Sequence, residues 1–281
     1  MRRSKWKLLY AVAFAAVLEA VTLTPDLALA QQEVARCAGK GHVAPKRRVS
    51  ACTLIIEARI FSGKNLAAVF NNRGLVYQMT GDYVRSIADF DQAIRLDPAR
   101  ASAFFNRARS YHLQNDYDRA LADYDKAIAL DPKDSGAYMN RGNAHARKGD
   151  YERAIADYNE SIRIEPGNSG TFYNRCDALL ELGKAEAALA DCNEAIRLRP
   201  DKTPAFLLRG NANFALGHLD QAGADFDVVL RQNAQDAWAL YGRGIIKTKT
   251  GDATGGAADI KAAKALSAQI AEDFADYFGL K

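Results

Sequence analysis

The chain has 281 residues, of which 48% are hydrophobic, 9% aromatic and 26% charged. That supplies ample apolar material for a core and excludes disordered and collagen-like classes. Lys and Arg number 38 against 34 Asp and Glu, and a formal charge of +4 is too mild to make nucleic acid or a membrane surface the expected partner.

Residues 1–30 read as a secretory signal. Arg2, Arg3, Lys5 and Lys7 form a basic start, and Leu8 to Leu23 is apolar apart from Glu19 and Thr22. Ala28-Leu29-Ala30 then offers a small-x-small cleavage site before Gln31. The alternative is a retained anchor. It needs about 18–20 unbroken apolar residues, and Glu19 breaks the run. Cleavage removes four basic and two acidic residues, taking the charge from +4 to +2. Cys37 follows Arg36, not a small residue, so a lipid anchor does not fit. No later stretch is expected to span a bilayer, which leaves a periplasmic or secreted protein. In such an oxidising compartment four cysteines read as disulfides before metal or catalysis.

From residue 67 to residue 270 the sequence repeats six times with a period of 34. Arg73, Arg107, Arg141, Arg175, Arg209 and Arg243 fall at place 7 of successive units, and Asp89, Asp123, Asp157, Asp191, Asp225 and Asp259 at place 23. A period in this range means a solenoid whose units cannot bury their apolar faces alone. Each unit reads as two helices. In 101–134, Phe104, Ala108 and Tyr111 share one helical face; Tyr117, Ala120, Leu121, Tyr124, Ala127 and Ile128 share a second. Gly81, Gly149, Gly183, Gly217 and Gly251 end the first helix in left-handed backbone. Asp82, Asp116, Asp150 and Asp252 are N-cap candidates for the second, and Pro98, Pro132, Pro166 and Pro200 close it. Small residues at place 8 (Gly74, Ala108, Gly142, Cys176, Gly210, Gly244) and place 20 (Ser86, Ala120, Ala154, Ala188, Ala222, Gly256) let the two helices approach closely.

This helix–turn–helix, with Phe70, Gly74, Tyr77, Phe90 and Pro98 in the first unit, resembles the tetratricopeptide repeat. The resemblance implies an all-α, right-handed α-solenoid. Residues 31–66 read as a degenerate partial unit and 271–281 as a C-terminal cap, with Phe274 and Phe278 covering the exposed end. Cys176 and Cys192 occupy places 8 and 24, at equal height across an antiparallel pair turning between places 15 and 16, so a disulfide is expected. Val49 to Thr53 aligns with Leu189 to Asn193, and Cys37 precedes Cys52 by 15 residues, so Cys37–Cys52 is the second expected bond.

Places 7 and 23 also lie at equal height, so the Arg and Asp series are expected to pair within the molecule and not to form an anion stripe. Asn72, Asn106, Asn140 and Asn174, at place 6, have no complementary ladder. In the family, places 2, 5, 6, 9, 12 and 13 line the concave groove, and asparagine ladders there hold an extended peptide by its backbone. Phe105, Arg109, Asn143, Tyr173, Asn211 and Tyr241 are expected beside them. The family's clamp for C-terminal carboxylates is not expected: its places hold Asn71, Leu75, Asn106, Gly136 and Asn140. His42, His112, His145 and His218 occur singly, without metal-ligand spacing, and no nucleophile elbow or phosphate loop is present. The expectation is a non-catalytic adaptor of the bacterial envelope, with a protein or peptide partner and no cofactor. A self-associating scaffold, or a hydrolase with a dispersed site, is the alternative.

Overall fold

The structure is a computed structural model that describes residues 25–201 and 203–279; most of the expected signal segment lies outside them. Among the described residues every regular element is a helix. The chain forms two compact units, one ending at Ala144 and the other beginning at His145.

In unit 1 the helices are α1 (Pro25–Cys37), α2 (Pro45–Glu57), α3 (Gly63–Met79), α4 (Tyr83–Leu96), α5 (Ala101–Leu113) and α6 (Tyr117–Leu130), followed by the start of α7 (Ser135–Arg147). Unit 2 continues with α8 (Tyr151–Ile164), α9 (Ser169–Glu181), α10 (Ala185–Leu198), α11 (Thr203–Ala215) and α12 (Leu219–Gln232). It ends with α13 (Ala237–Lys249), α14 (Ala253–Leu266) and α15 (Ile270–Phe278). Within each unit, neighbours in sequence pack as helical hairpins, α3 on α4, α5 on α6, α9 on α10, α11 on α12 and α13 on α14. The fold is that of an α-solenoid of helix–turn–helix repeats.

Local chemistry sets the hairpin turns. Gly81, Gly149, Gly183, Gly217 and Gly251 all adopt positive φ, and Asn115 takes the same place in α5–α6 at φ 60°. The next residue caps the second helix: Asp82 accepts from the Arg85 N–H at 3.1 Å, Asp116 from Arg119 at 3.1 Å, Asp252 from Gly255 at 2.9 Å. Lys184 and His218 stand at this position before α10 and α12, where no side chain caps the helix.

The core of each hairpin is one bulky group at place 24 set against a small residue at place 8. Phe90 lies against Gly74, and Phe226 against Gly210. Phe90, Tyr124 and Phe226 are fully buried. In α9–α10 a cystine replaces the ring: Cys176 and Cys192 are bonded, with Cα atoms 5.6 Å apart. Cys37 and Cys52 are bonded likewise, Cα to Cα 4.8 Å, and join α1 to α2. A covalent link here holds a short hairpin that has no aromatic ring to bury. The expected cleavage bond after Ala30 falls inside α1, so cleavage would leave Gln31 to Cys37 of that helix on the cystine.

Candidate interaction surface

The place-7 arginines are structural. Arg107 grips both carboxylate oxygens of Asp123 at 2.7 Å, from Nε and Nη2. Arg73 holds Asp89 in the same fork (2.8 and 2.7 Å), as do Arg175 with Asp191 (2.6 and 2.6 Å), Arg209 with Asp225 (2.9 and 2.7 Å) and Arg243 with Asp259 (2.7 and 2.9 Å). Each guanidinium also uses Nη1 on the preceding repeat: Arg107 on Asp91 (2.6 Å), Arg141 on Asp125 (2.6 Å), Arg175 on Asn159 (2.6 Å), Arg209 on Asn193 (3.0 Å) and Arg243 on Asp227 (2.8 Å). Arg73 donates instead to the Thr53 hydroxyl of α2, at 2.9 Å. Sequence reasoning did not anticipate this place-25 series. Hydrogen bonding to Asp123 raises the Arg107 guanidinium above its ordinary value against the opposing effect of burial. Asp259 stays below the usual carboxylate range: burial raises it, but hydrogen bonds from Arg243 and Lys247 outweigh that.

The place-6 asparagines do not form one ladder of free amides. Asn106 is 7% exposed, and its Nδ2 donates to Asn71 Oδ1 at 3.0 Å. It belongs to a buried network in which Gln78 Nε2 donates to the Asn106 carbonyl at 2.9 Å and to Ser110 Oγ at 2.8 Å, and Ser110 meets Ser86 at 2.9 Å. Such a network stitches α3, α4 and α5 together. Asn140 is half-buried and donates back to the Gly136 carbonyl of its own helix at 2.8 Å. Asn174 also has an intramolecular partner. Asn72 is half-buried and makes no side-chain hydrogen bond among the described residues. Asn211 is 4% exposed and accepts from Trp238 Nε1 at 2.9 Å. The amides of Asn106 and Asn211, expected to meet a ligand, are thus each paired with a residue of the adjacent repeat.

The remaining expected residues divide by unit. In unit 1, Arg109 is exposed one helical turn from half-buried Phe105, whose ring meets that of Tyr124 edge-on at 5.9 Å. Tyr124 is fully buried and its hydroxyl has no hydrogen-bond partner among the described residues. Burial drives that hydroxyl up, with Arg109 the nearby charge that opposes the shift. Met79, 71% exposed, lies near the turn after α3. Asn143 already has a partner. In unit 2, Tyr173 is half-buried; burial and then the Asp177 charge push its hydroxyl up. Tyr241 is not free, since its ring packs on Phe274 of α15, 5.2 Å between centroids. Phe274 and Phe278 therefore sit on first helices and not over the outer face of α14 alone.

Among the described residues no group of three or more His, Cys, Asp or Glu side chains could hold a metal ion. The geometry instead defines a protein built from stacked helical hairpins with polar and aromatic first-helix faces. The tetratricopeptide-repeat profile matches residues 71–135, 114–169 and 173–237, more than half of the chain, and the protein belongs to that family. No curated protein matches the sequence. Among solved structures, one is described as YrrB, a TPR protein with an unusual peptide-binding site; it is 26% identical over 66% of this chain and 97% of its own, with TM-score 0.59. Pseudomonas aeruginosa PilF (20% identity, 75% of this chain and 97% of its own, TM-score 0.65) shares the fold. So does a tetratricopeptide-repeat protein of Parabacteroides merdae (16%, 99% of both chains, TM-score 0.58). Proteins of this fold serve generally as interaction scaffolds.

Proposed function

We propose that the protein is a non-catalytic adaptor of the bacterial envelope that grips an extended segment of a partner protein on the first-helix face of unit 1. One observation carries the reading: Arg109 is exposed, has no ion pair among the described residues, and stands one helical turn from the half-buried Phe105. Every place-7 arginine described above is held by carboxylates or amides, so the exposed cation at place 9 is not part of the scaffold. Asn72, without a side-chain hydrogen bond among the described residues, offers a donor and an acceptor to a peptide group. Phe105 supplies apolar area and Arg109 a carboxylate-matching fork, the combination enriched at interface centres. The peptide-binding site named for YrrB supports the reading by likeness.

Export is part of the proposal. It rests on the basic and apolar first thirty residues and on two cystines, which persist in oxidising compartments. No helix among the described residues is long and apolar enough to cross a membrane.

The test is affinity capture from an envelope extract with wild type and with Arg109→Glu, Phe105→Ala and Asn72→Ala, each checked by far-UV circular dichroism. Partners held by wild type should be lost from folded Arg109→Glu. Retention by all three folded variants would reject this surface.

A further inference from the structure

The last described helix, α15, lies on the first-helix face of unit 2. In α15, Phe274 is fully buried and Ile270 is 5% exposed. The Phe274 ring lies 5.2 Å from Phe214 of α11, and 5.0 and 5.2 Å from Trp238 and Tyr241 of α13. Phe278 sits 4.8 Å from Phe214, and Tyr277 meets Trp238 edge-on at 5.3 Å. Tyr277 also packs against the hydrophobic cluster around Cys176 and Cys192. Burial, then the charges of Glu181 and Asp177, push its hydroxyl up, while a hydrogen bond with Asn211 acts in the opposite direction. One short helix therefore touches the first helices of three successive repeats.

Two features bear on whether another helix could take this seat. A nine-residue helix has little stability of its own, so its aromatic anchors hold it. Its outward residues Glu272, Asp273 and Asp276 are exposed. Among the described residues the seat is also incompletely filled. A cleft of about 400 Å³ remains beside Tyr277 and Phe278, lined further by Leu180, Phe214, Leu219 and Lys249. The Lys249 ammonium stands 5.6 Å from the centroid of the Phe214 ring at that cleft. Because Phe278 and Lys249 line the same cleft, a longer helix on this seat could set a carboxylate against Lys249.

We propose that this face of unit 2 is a receptor for an amphipathic helix of a partner protein, and that α15 is its intramolecular competitor. The ligand's chemistry is written by the incumbent: an apolar residue, an aromatic four positions later, two adjacent aromatics three and four positions after that, then an acidic residue for Lys249. The proposal concerns a different unit and a helical ligand, and stands apart from the extended-segment reading of unit 1. The tether Ser267 to Gln269 keeps α15 at an effective concentration of order millimolar, which an external helix must overcome.

The probe is a fluorescein-labelled peptide of residues 268–281, titrated by anisotropy into the full chain and into full chain bearing Phe274→Ala and Phe278→Ala. The variant with its helix released should bind saturably, and wild type at least about 100-fold more weakly. Adding Phe214→Ala to the released variant should abolish binding, as should Phe274→Ala in the peptide. No binding by a released variant with native circular dichroism, or equal binding by wild type, would overturn the proposal. If the double variant unfolds, Phe278→Ala alone must show the same gain by a smaller factor, and no gain overturns it. A dimer that exchanges α15 between copies would remove the competitor role.

Discussion

The ring of Phe226 is clamped between two helix backbones, and this gives a sharp test of the packing. A methyl added at Gly242 of α13 would lie 2.6 Å from Phe226 Cε2, and one added at Gly210 of α11 would lie 2.7 Å from Cε1. The ring cannot retreat from one glycine without advancing on the other, and Phe226 is fully buried. Gly242→Ala gains about 0.5–1 kcal/mol from helix preference, but overpacking of a closed site costs about 1–3 kcal/mol. The expected net is a loss of up to about 2.5 kcal/mol. Gly223→Ala in α12 is the matched control. Its new methyl first meets Ile246 Cγ2 at 3.8 Å, an ordinary contact, so only the gain of about 0.5–1 kcal/mol remains. Urea unfolding followed by Trp238 fluorescence reads both, since the other tryptophan, Trp6, precedes the proposed cleavage site. The midpoints should move in opposite directions, and Phe226→Leu should shrink the penalty of Gly242→Ala. Shifts in the same direction for the two glycine variants would refute the clamp.

Non-reducing peptide mapping should find Cys37 joined to Cys52 and Cys176 to Cys192; reducing the second bond should lower stability by about 3 kcal/mol on the chain-entropy account for a short loop, and alkylation of all four thiols without reductant contradicts both. Asp259 has a folded pKa below its unfolded value, so its contribution is present above the unfolded carboxylate value of about 4 and is lost as pH falls through the folded value. Urea midpoints between pH 3 and 7 should therefore fall on acidification, and Asp259→Asn should flatten that slope; an unchanged slope removes the assignment. Asn106→Ala should cost about 1–3 kcal/mol by leaving Asn71 short of a buried donor. Asn140→Ala, whose bond is to its own helix, should stay within about 0.5 kcal/mol, and equal losses for the two would contradict the distinction.

What the sequence disclosed follows from where each interaction closes. Helices, turns and caps repeat within 34 residues, so Gly81 with Asp82 and the Arg73–Asp89 fork could be read from one period. The Cys176–Cys192 bond was legible for the same reason, since both residues belong to one hairpin. Contacts between repeats were not legible, because they depend on a stacking offset that a period does not encode. Asn71 with Asn106, and Asn211 with Trp238, looked like unpaired amides for this reason. The place-25 partners were hidden twice: they serve the following repeat, and they alternate between Asp91, Asp125 and Asp227 on one hand and Asn159 and Asn193 on the other. Phe274 and Phe278 were expected to cover the exposed end of the repeats, but the pattern of one segment does not say which neighbouring face receives it, and their rings pack on Phe214 and Trp238.

The arginine joints carry a consequence for how such a chain changes length. Arg107 reaches residues 16 places before and 16 places after itself, and Arg175, Arg209 and Arg243 do the same. Because the arms are symmetric, duplicating or excising one whole period between existing joints regenerates every junction with no compensating substitution. Growth by any other number of residues would break a fork at each side of the insertion. The molecule is in this sense modular in quanta of one helical hairpin, and its span can be retuned genetically without redesigning its seams.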